Sequence, residues 1–116
     1  MRVEKPWGYE VWLAYDNNRY AGKYLFIKKG HRTSKQFHNK KHETIVVIKG
    51  KLELELGNRT YIYNQIDNSD DMMRIVIEPK MVHRMKGLED TLLIEFSSPE
   101  LDDVVRLEDD YNRKNT

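Results

Sequence analysis

"KQFHNKKHETIVVIKGKLELELG", residues 35–57, decides the fold. Leu52, Leu54 and Leu56 alternate with Glu53 and Glu55, the period-2 pattern of a strand with one face buried. Before it, "ETIVVIKG" reads as a second strand over 43–50, and Gly50 separates the two. Upstream, Gln36 and His38 stand two apart, so on an extended chain they project from one face. The polar turn "NKKH" over 39–42 then returns the chain so that Glu43 can meet that face.

The same grammar runs through the chain. Strand-like runs over 9–15, 23–29, 59–66, 74–79 and 91–98 are bounded by Gly, Pro, Asn or Asp, and no window shows a 3.6-residue apolar stripe. "NQIDNSDDMM" (64–73) reads as a long hairpin loop. "ELDDVVRLEDDYNRKNT" is too acidic and interrupted for more than one helical turn, and its "LEDDYNR" reads as a tail that packs back. Many short, evenly spaced strands point to an all-β sandwich or barrel. At 116 residues the expectation is one domain spanning 1–116.

Composition narrows the function. A net charge of +1 gives no broad basic field for nucleic acid or an anionic membrane. With no cysteine, disulfides, thiolate metal ligands and thiol nucleophiles are excluded, which fits a reducing compartment. The start, "MRVEKPWGYEVW", lacks a signal-peptide core, and no run approaches the ~20 apolar residues of a membrane span. A cytoplasmic location is the expectation.

Thirty-six residues beyond Glu43 comes "PKMVHRMKG", with Pro79 four residues before His83. One further strand would bring His83 to Gln36, His38 and Glu43. Any two of these four read as a polar hairpin. All four, at this spacing in an all-β chain, read as a metal site with two imidazole nitrogens and two oxygens. A sulfur-free N/O set suits Zn, Mn, Fe, Co or Ni, and neutral imidazoles and amide with one carboxylate leave a divalent ion at about +1.

The pattern Gly30-x5-Gln36-x-His38-x4-Glu43-x6-Gly50, followed by Pro79-x3-His83, resembles the two motifs of the cupin superfamily. Gln36 stands in the place of the first histidine and Met81 in that of a glycine. Gln-x-His in the first motif resembles the cupin domain of type II mannose-6-phosphate isomerases. The likeness continues in "VEKPWGYE", "GHRTSKQFH", "HETIVVIKG", "PKMVHR" and "DDVVRLEDDYNR". The resemblance implies an antiparallel jelly-roll β-barrel, one divalent metal ion, and isomerisation of a sugar phosphate, with mannose 6-phosphate to fructose 6-phosphate as prototype. It also implies a homodimer, with the strand near "VEKPWGYE" placed to pair across a two-fold axis.

The sequence departs from that family at "HNKKHETI", where Lys41 stands in place of arginine and Ile45 in place of tryptophan. With one domain expected over 1–116, no counterpart of the guanylyltransferase domain of bifunctional relatives is expected.

An isomerase needs a proton carrier and a phosphate anchor. Arg32, four residues before Gln36, is expected on the same strand and face and matches an arginine of the family motif, hence a catalytic or substrate-orienting role. Arg84, Lys86 and Lys41 are the candidates for binding phosphate. Glu95, among apolar neighbours, would have a raised pKa if it faced inward and could then act as the base. His31 and His42 read as surface histidines, and Trp7, Tyr9 and Trp12 as packing residues at a barrel edge or interface. Other readings of the same site are a metal-dependent lyase or epimerase acting on a small hydroxy or carboxylate substrate, or a non-catalytic sugar-binding module.

Overall fold

The computed structural model describes residues 1–67 and 74–113, and among these it holds eleven strands and no helix. The strands are β1 (Arg2–Lys5), β2 (Gly8–Ala14), β3 (Ala21–Ile27), β4 (Lys35–Phe37), β5 (Glu43–Lys49), β6 (Lys51–Leu56), β7 (Arg59–Asn64), β8 (Arg74–Ile77), β9 (His83–Gly87), β10 (Thr91–Ser97) and β11 (Val105–Glu108). They form a six-stranded sheet in the order β1-β2-β3-β10-β5-β8 and a five-stranded sheet in the order β11-β4-β9-β6-β7. Every pairing is antiparallel. This is the jelly-roll arrangement that the cupin resemblance implies. No helix among the described residues is long and apolar enough to cross a membrane. Residues 68–73 of the expected 64–73 loop lie outside the described residues.

The alternation read in the sequence places the core. Leu52 and Leu54 of β6 meet Ile45 and Val47 of β5, Leu25 and Ile27 of β3, Ile75 and Ile77 of β8, Met85 of β9 and Leu93 of β10. Each such side chain, removed from water, stabilises the fold by roughly 1.5–3 kcal/mol. Several of the same inward rows change character along their length. In β3 Lys23 precedes Leu25 and Ile27, in β5 Glu43 precedes Ile45 and Val47, in β9 His83 precedes Met85, and in β10 Glu95 follows Leu93; all four polar residues are buried. The register aligns them, with Glu95 opposite Lys23 across β10–β3. One end of the barrel is therefore apolar and the other carries titratable groups.

Two local features hold this frame. Trp7 is buried in the core beneath the β1–β2 turn, and the chain must then pass tightly over β3 at Gly8 (φ +155°). A Cβ there would fall 1.8 Å from the Phe26 carbonyl oxygen, so only glycine fits. β1 pairs with β2 of its own chain and forms the edge of the six-stranded sheet. The closing segment is a strand rather than a helical turn: β11 pairs with β4, and Tyr111 packs against the core.

Candidate metal centre

Three buried residues converge at the polar end. His38 follows β4, Glu43 opens β5 in the other sheet, and His83 opens β9; their candidate donor atoms lie within 4.8 Å of one another. His38 Nε2 is 3.6 Å from Glu43 Oε2, and His83 Nε2 is 3.8 Å from Glu43 Oε1. Gln36 is the register partner of His83 across β4–β9 and lines the same cavity as His38 and Glu43. Its Oε1 accepts from Ser34 Oγ at 2.5 Å, and a carbonyl oxygen keeps a second lone pair for another partner.

The backs of both imidazoles are fixed by the main chain. His38 Nδ1 is hydrogen-bonded to the Asp103 carbonyl, and His83 Nδ1 to the Met81 carbonyl at 2.9 Å. Both rings thereby turn an Nε2 lone pair toward Glu43, the arrangement in which an outer partner sets the tautomer of a metal-ligating histidine. Burial first, and then the Lys41 charge, lowers the His38 pKa; burial lowers that of His83, with Glu43 opposing. Both are neutral near pH 7, as ligands must be. His83 Nε2 and Glu43 Oε2 are buried without a hydrogen-bond partner of good geometry. Buried polar atoms left this way are costly, and a divalent ion would satisfy them. The residues present fit a metal.

Asp103 does more than hold His38. Its carboxylate accepts from the backbone N–H groups of Asn39 (3.0 Å), Lys40 (2.6 Å) and Lys41 (3.0 Å), clamping the turn between ligands. Across the turn, Lys80 takes a left-handed conformation (φ +71°), donates its N–H to the His38 carbonyl at 2.7 Å and its ammonium to Asn39 Oδ1 at 2.5 Å. The strained position preceding His83 is thus Lys80, one residue before Met81, which stands where the cupin motif has glycine.

Beyond the cluster lies a cavity of about 420 Å³. Its wall carries a buried row of alternating charges. Glu10 Oε1 is 3.1 Å from Lys23 Nζ, and Lys23 Nζ is 3.5 Å from Glu95 Oε2. Glu95 Oε2 is 3.1 Å from Lys41 Nζ, which stands 3.2 Å from Glu43 Oε2. Burial would lower the Lys41 pKa, but Glu95 and Glu43 outweigh it and hold it above the ordinary lysine value. Burial would raise Glu95, but Lys41 and Lys23 bring it down to about 2. Glu43, pressed by burial and then by Glu95, is pushed up to about 7 despite Lys41.

Of the residues singled out in the sequence, the fold brings Gln36, His38, Glu43, His83, Lys41 and Glu95 together. Glu95 does face inward, but its pKa moves opposite to expectation, because two lysines from other strands neutralise it. Arg32 is not on the face of Gln36. It precedes β4, makes an isolated bridge to Lys86, and donates to Asp110 at 2.6 and 2.9 Å. Arg84 follows inward-facing His83 and so points to the other side of β9, where it meets the Thr33 carbonyl, Glu108 and Asp110. Arg32, Arg84 and Lys86 line a separate small recess with Glu53 and Glu55, away from the metal cluster. His42 is exposed, and His31 is half-buried beside the Lys29 carbonyl. Trp12 lines the cavity and donates to Glu10 at 2.8 Å. Ile45, where the resembling family has tryptophan, is fully buried in the core rather than at the cavity.

Asp103, Glu10 and Lys23 are the site residues that sequence reasoning missed. For Lys23 the signal was present: it shares its strand face with Ala21, Leu25 and Ile27.

Comparison with known proteins agrees with this geometry. The chain resembles KdgF from Halomonas sp. in structure (TM-score 0.75, 19% identity, 88% of each chain covered). It also resembles an RmlC-like cupin from Shewanella frigidimarina (TM-score 0.74, 15% identity, 87% of this chain and 85% of that one). Lactobacillus farciminis oxalate decarboxylase, solved as a formate complex, matches with a TM-score of 0.74 at 16% identity, over 92% of this chain and 33% of its own. At such identities the likeness establishes the cupin fold alone. No curated protein matches by sequence. The profile of the family described as mannose-6-phosphate isomerase C-terminal covers residues 1–109. With that match over nearly the whole length, and a cupin barrel beneath it, the chain belongs to the mannose-6-phosphate isomerase C-terminal family.

Proposed function

We propose that this chain is a metal-dependent aldose–ketose isomerase acting on a sugar phosphate, with mannose 6-phosphate to fructose 6-phosphate as prototype. The observation that carries the reading is the buried His38–Glu43–His83 cluster, whose unsatisfied atoms lie beside a cavity of about 420 Å³. Family membership supports the reaction class.

His38, Glu43 and His83, with Gln36 as fourth donor, would hold the ion. A divalent ion there supplies Lewis acidity for enolisation across adjacent carbonyl and hydroxyl carbons. The chain's own groups prepare the surroundings. Lys41, in the cavity wall with its charge fixed by two carboxylates, is suited to stabilise a developing oxyanion rather than to accept a proton. Glu95, with Oε2 shared between Lys41 and Lys23, positions those lysines; at a pKa of about 2 it is a weak base. Trp12 and Glu10 fix Lys23 from the other side.

The test is a coupled assay of the full chain with mannose 6-phosphate after loading with Mn, Co or Zn. Turnover that disappears with chelator supports the reading. No turnover with any of these metals, in protein shown to contain metal, would overturn it in favour of another cupin chemistry or a binding role.

A further inference from the structure

The two sheets differ in what they turn outward. On the five-stranded sheet the residues that alternate with the core are charged: Glu53 and Glu55 in β6, Arg84 and Lys86 in β9. That is the ordinary pattern of an antiparallel face meeting water. On the six-stranded sheet the outward residues are apolar. Register sets Val11, Tyr24, Ile94 and Val46 side by side across β2, β3, β10 and β5. A second row, Tyr9, Phe26 and Leu92, flanks it on one side, with the Tyr9 and Phe26 rings stacked at 5.1 Å. On the other side Phe96 stands opposite Thr44, whose partner in β8 is Val76. The fold buries none of them: Phe96 is 55% exposed and Val76 40%, and the others are half-buried.

In these rows charge stands only at the margins. Arg2 and Glu4 of β1 are the register partners of Val11 and Tyr9; both are exposed, and they pair with each other at 3.2 Å. Arg74 of β8, partner of Val46, stands at the opposite margin. Four inner strands about 4.8 Å apart, with their margins, by about 20 Å along the strands give a face of roughly 500–600 Å². That is the upper end of what a monomer leaves exposed. Stacked on a copy of itself, the same face would bury roughly 1,000–1,200 Å² in all, the size at which specific interfaces begin. A sheet face has no groove to hold a peptide, but two such faces pack well on each other, about 10 Å apart with their side chains interdigitated. A two-fold axis running across the strands between the Arg2 and Glu4 rows sets Arg2 of each copy against Glu4 of the other. The margin is therefore complementary to itself in charge, as the centre is in hydrophobicity.

We infer that the outer face of the six-stranded sheet is an interface with a second copy of this chain, packed sheet on sheet about a two-fold axis. The apolar rows of β2, β3, β10 and β5 form its centre, and Arg2 and Glu4 form part of its rim. The partner thus lies on the sheet face and not along the β1 edge. The strands involved serve both sides: in β5 Glu43 faces the cavity and Thr44 the interface, and in β10 Glu95 faces the cavity and Phe96 the interface. The claim is independent of the isomerase reading, since it concerns the side of β5 and β10 opposite the metal cluster.

Sedimentation equilibrium of the full chain over about 1–100 μM tests it. The wild type is expected to have twice the mass of one chain at the upper end and to dissociate toward the lower. Phe96→Glu would bury a carboxylate without a partner in the face and should weaken association about 100-fold or more. Val76→Lys, nearer the margin, should weaken it about tenfold. Ile62→Glu is the control: Ile62 is 49% exposed but lies on the five-stranded sheet opposite Glu53, and its replacement should leave association unchanged. Thermal melts report folding, and if Phe96→Glu does not fold, Val76→Lys against Ile62→Glu decides alone. A wild type that stays monomeric at about 100 μM would overturn the inference. So would a dimer that survives both Phe96→Glu and Val76→Lys, which would put the contact elsewhere, the β1 edge included. A monomeric wild type that co-sediments with phosphatidylcholine vesicles, and loses them on Phe96→Glu, would assign the face to a lipid surface and overturn the inference as well.

Discussion

His38 Nδ1 is hydrogen-bonded to the backbone carbonyl of Asp103, sixty-five residues later, and this bond leaves Nε2 facing Glu43 Oε2 at 3.6 Å. The metal-facing nitrogen is therefore chosen by a loop that supplies no donor atom to the cluster itself. The Asp103 side chain also holds the 39–41 backbone, so one residue positions the turn between two candidate ligands. Asp103→Ala keeps the carbonyl but removes the clamp. It is expected to weaken Zn binding by about 10–100-fold, the range seen when outer partners of ligands are removed. Competition titration against a chelating dye measures this, and an unchanged affinity would count against a positioning role.

Lys41 is the hinge of the buried charge row. Removing it would leave Glu43 and Glu95 facing each other in the interior with nothing between them. Lys41→Met is expected to cost about 3 kcal/mol or more, as when one partner of a buried pair is deleted. Lys41→Arg, the residue type of the resembling family, keeps the charge and should cost less. Urea denaturation of the three proteins checks the order, and a Lys41→Met variant as stable as wild type would contradict it.

Glu43 gives the metal-free protein a pH dependence of unusual sign for a carboxylate. Its pKa in the fold is pushed up to about 7 from an ordinary 4.5, by burial first and Glu95 second. The folded chain thus holds a proton that the unfolded chain releases, so stability is full below about 4.5 and falls as pH rises through 7. Glu95 runs the other way: depressed to about 2, it stabilises above 4.5 and that stability is lost as pH falls toward 2. Between pH 5 and pH 8 the Glu43 contribution alone should fall by roughly 1–3 kcal/mol, while His38 and His83, lowered by burial, act in the opposite direction as pH rises through 6.5. Glu43→Gln, isosteric and uncharged, should abolish that decline and be the more stable protein at pH 8 in chelator, while binding metal poorly. For wild type, metal affinity should climb across the same window as the proton leaves. Denaturant midpoints of wild type and Glu43→Gln at the two pH values decide it; a variant with the same pH dependence as wild type would refute the assignment.

Most of the fold was legible because its strands alternate. "KLELELG" and "ETIVVIKG" placed their own faces, and Gln36-x-His38 placed two candidate donors on one side. The same rule explains the misplacement of Arg32. Counting back by twos from Gln36 assumes a regular strand, but Thr33 and Ser34 are consecutive buried residues before β4 begins at Lys35, and the alternation breaks between them. Arg84 was legible in principle, since a residue next to inward-facing His83 must face outward. The direction of the Glu95 shift was not, because Lys23 and Lys41 come from segments 72 and 54 positions away, and only the fold sets them beside it. Asp103 left no local signal either: its partners are backbone N–H groups, which every residue offers.

The account turns on whether the His38–Glu43–His83 cluster holds a metal ion. Elemental analysis of the purified full chain and of His38→Ala, after equal exposure to Mn, Co and Zn and removal of excess, tests this most directly. The wild type is expected to retain about one divalent ion per chain, and the variant to lose most of it. Equal metal content in the two proteins would contradict the assignment.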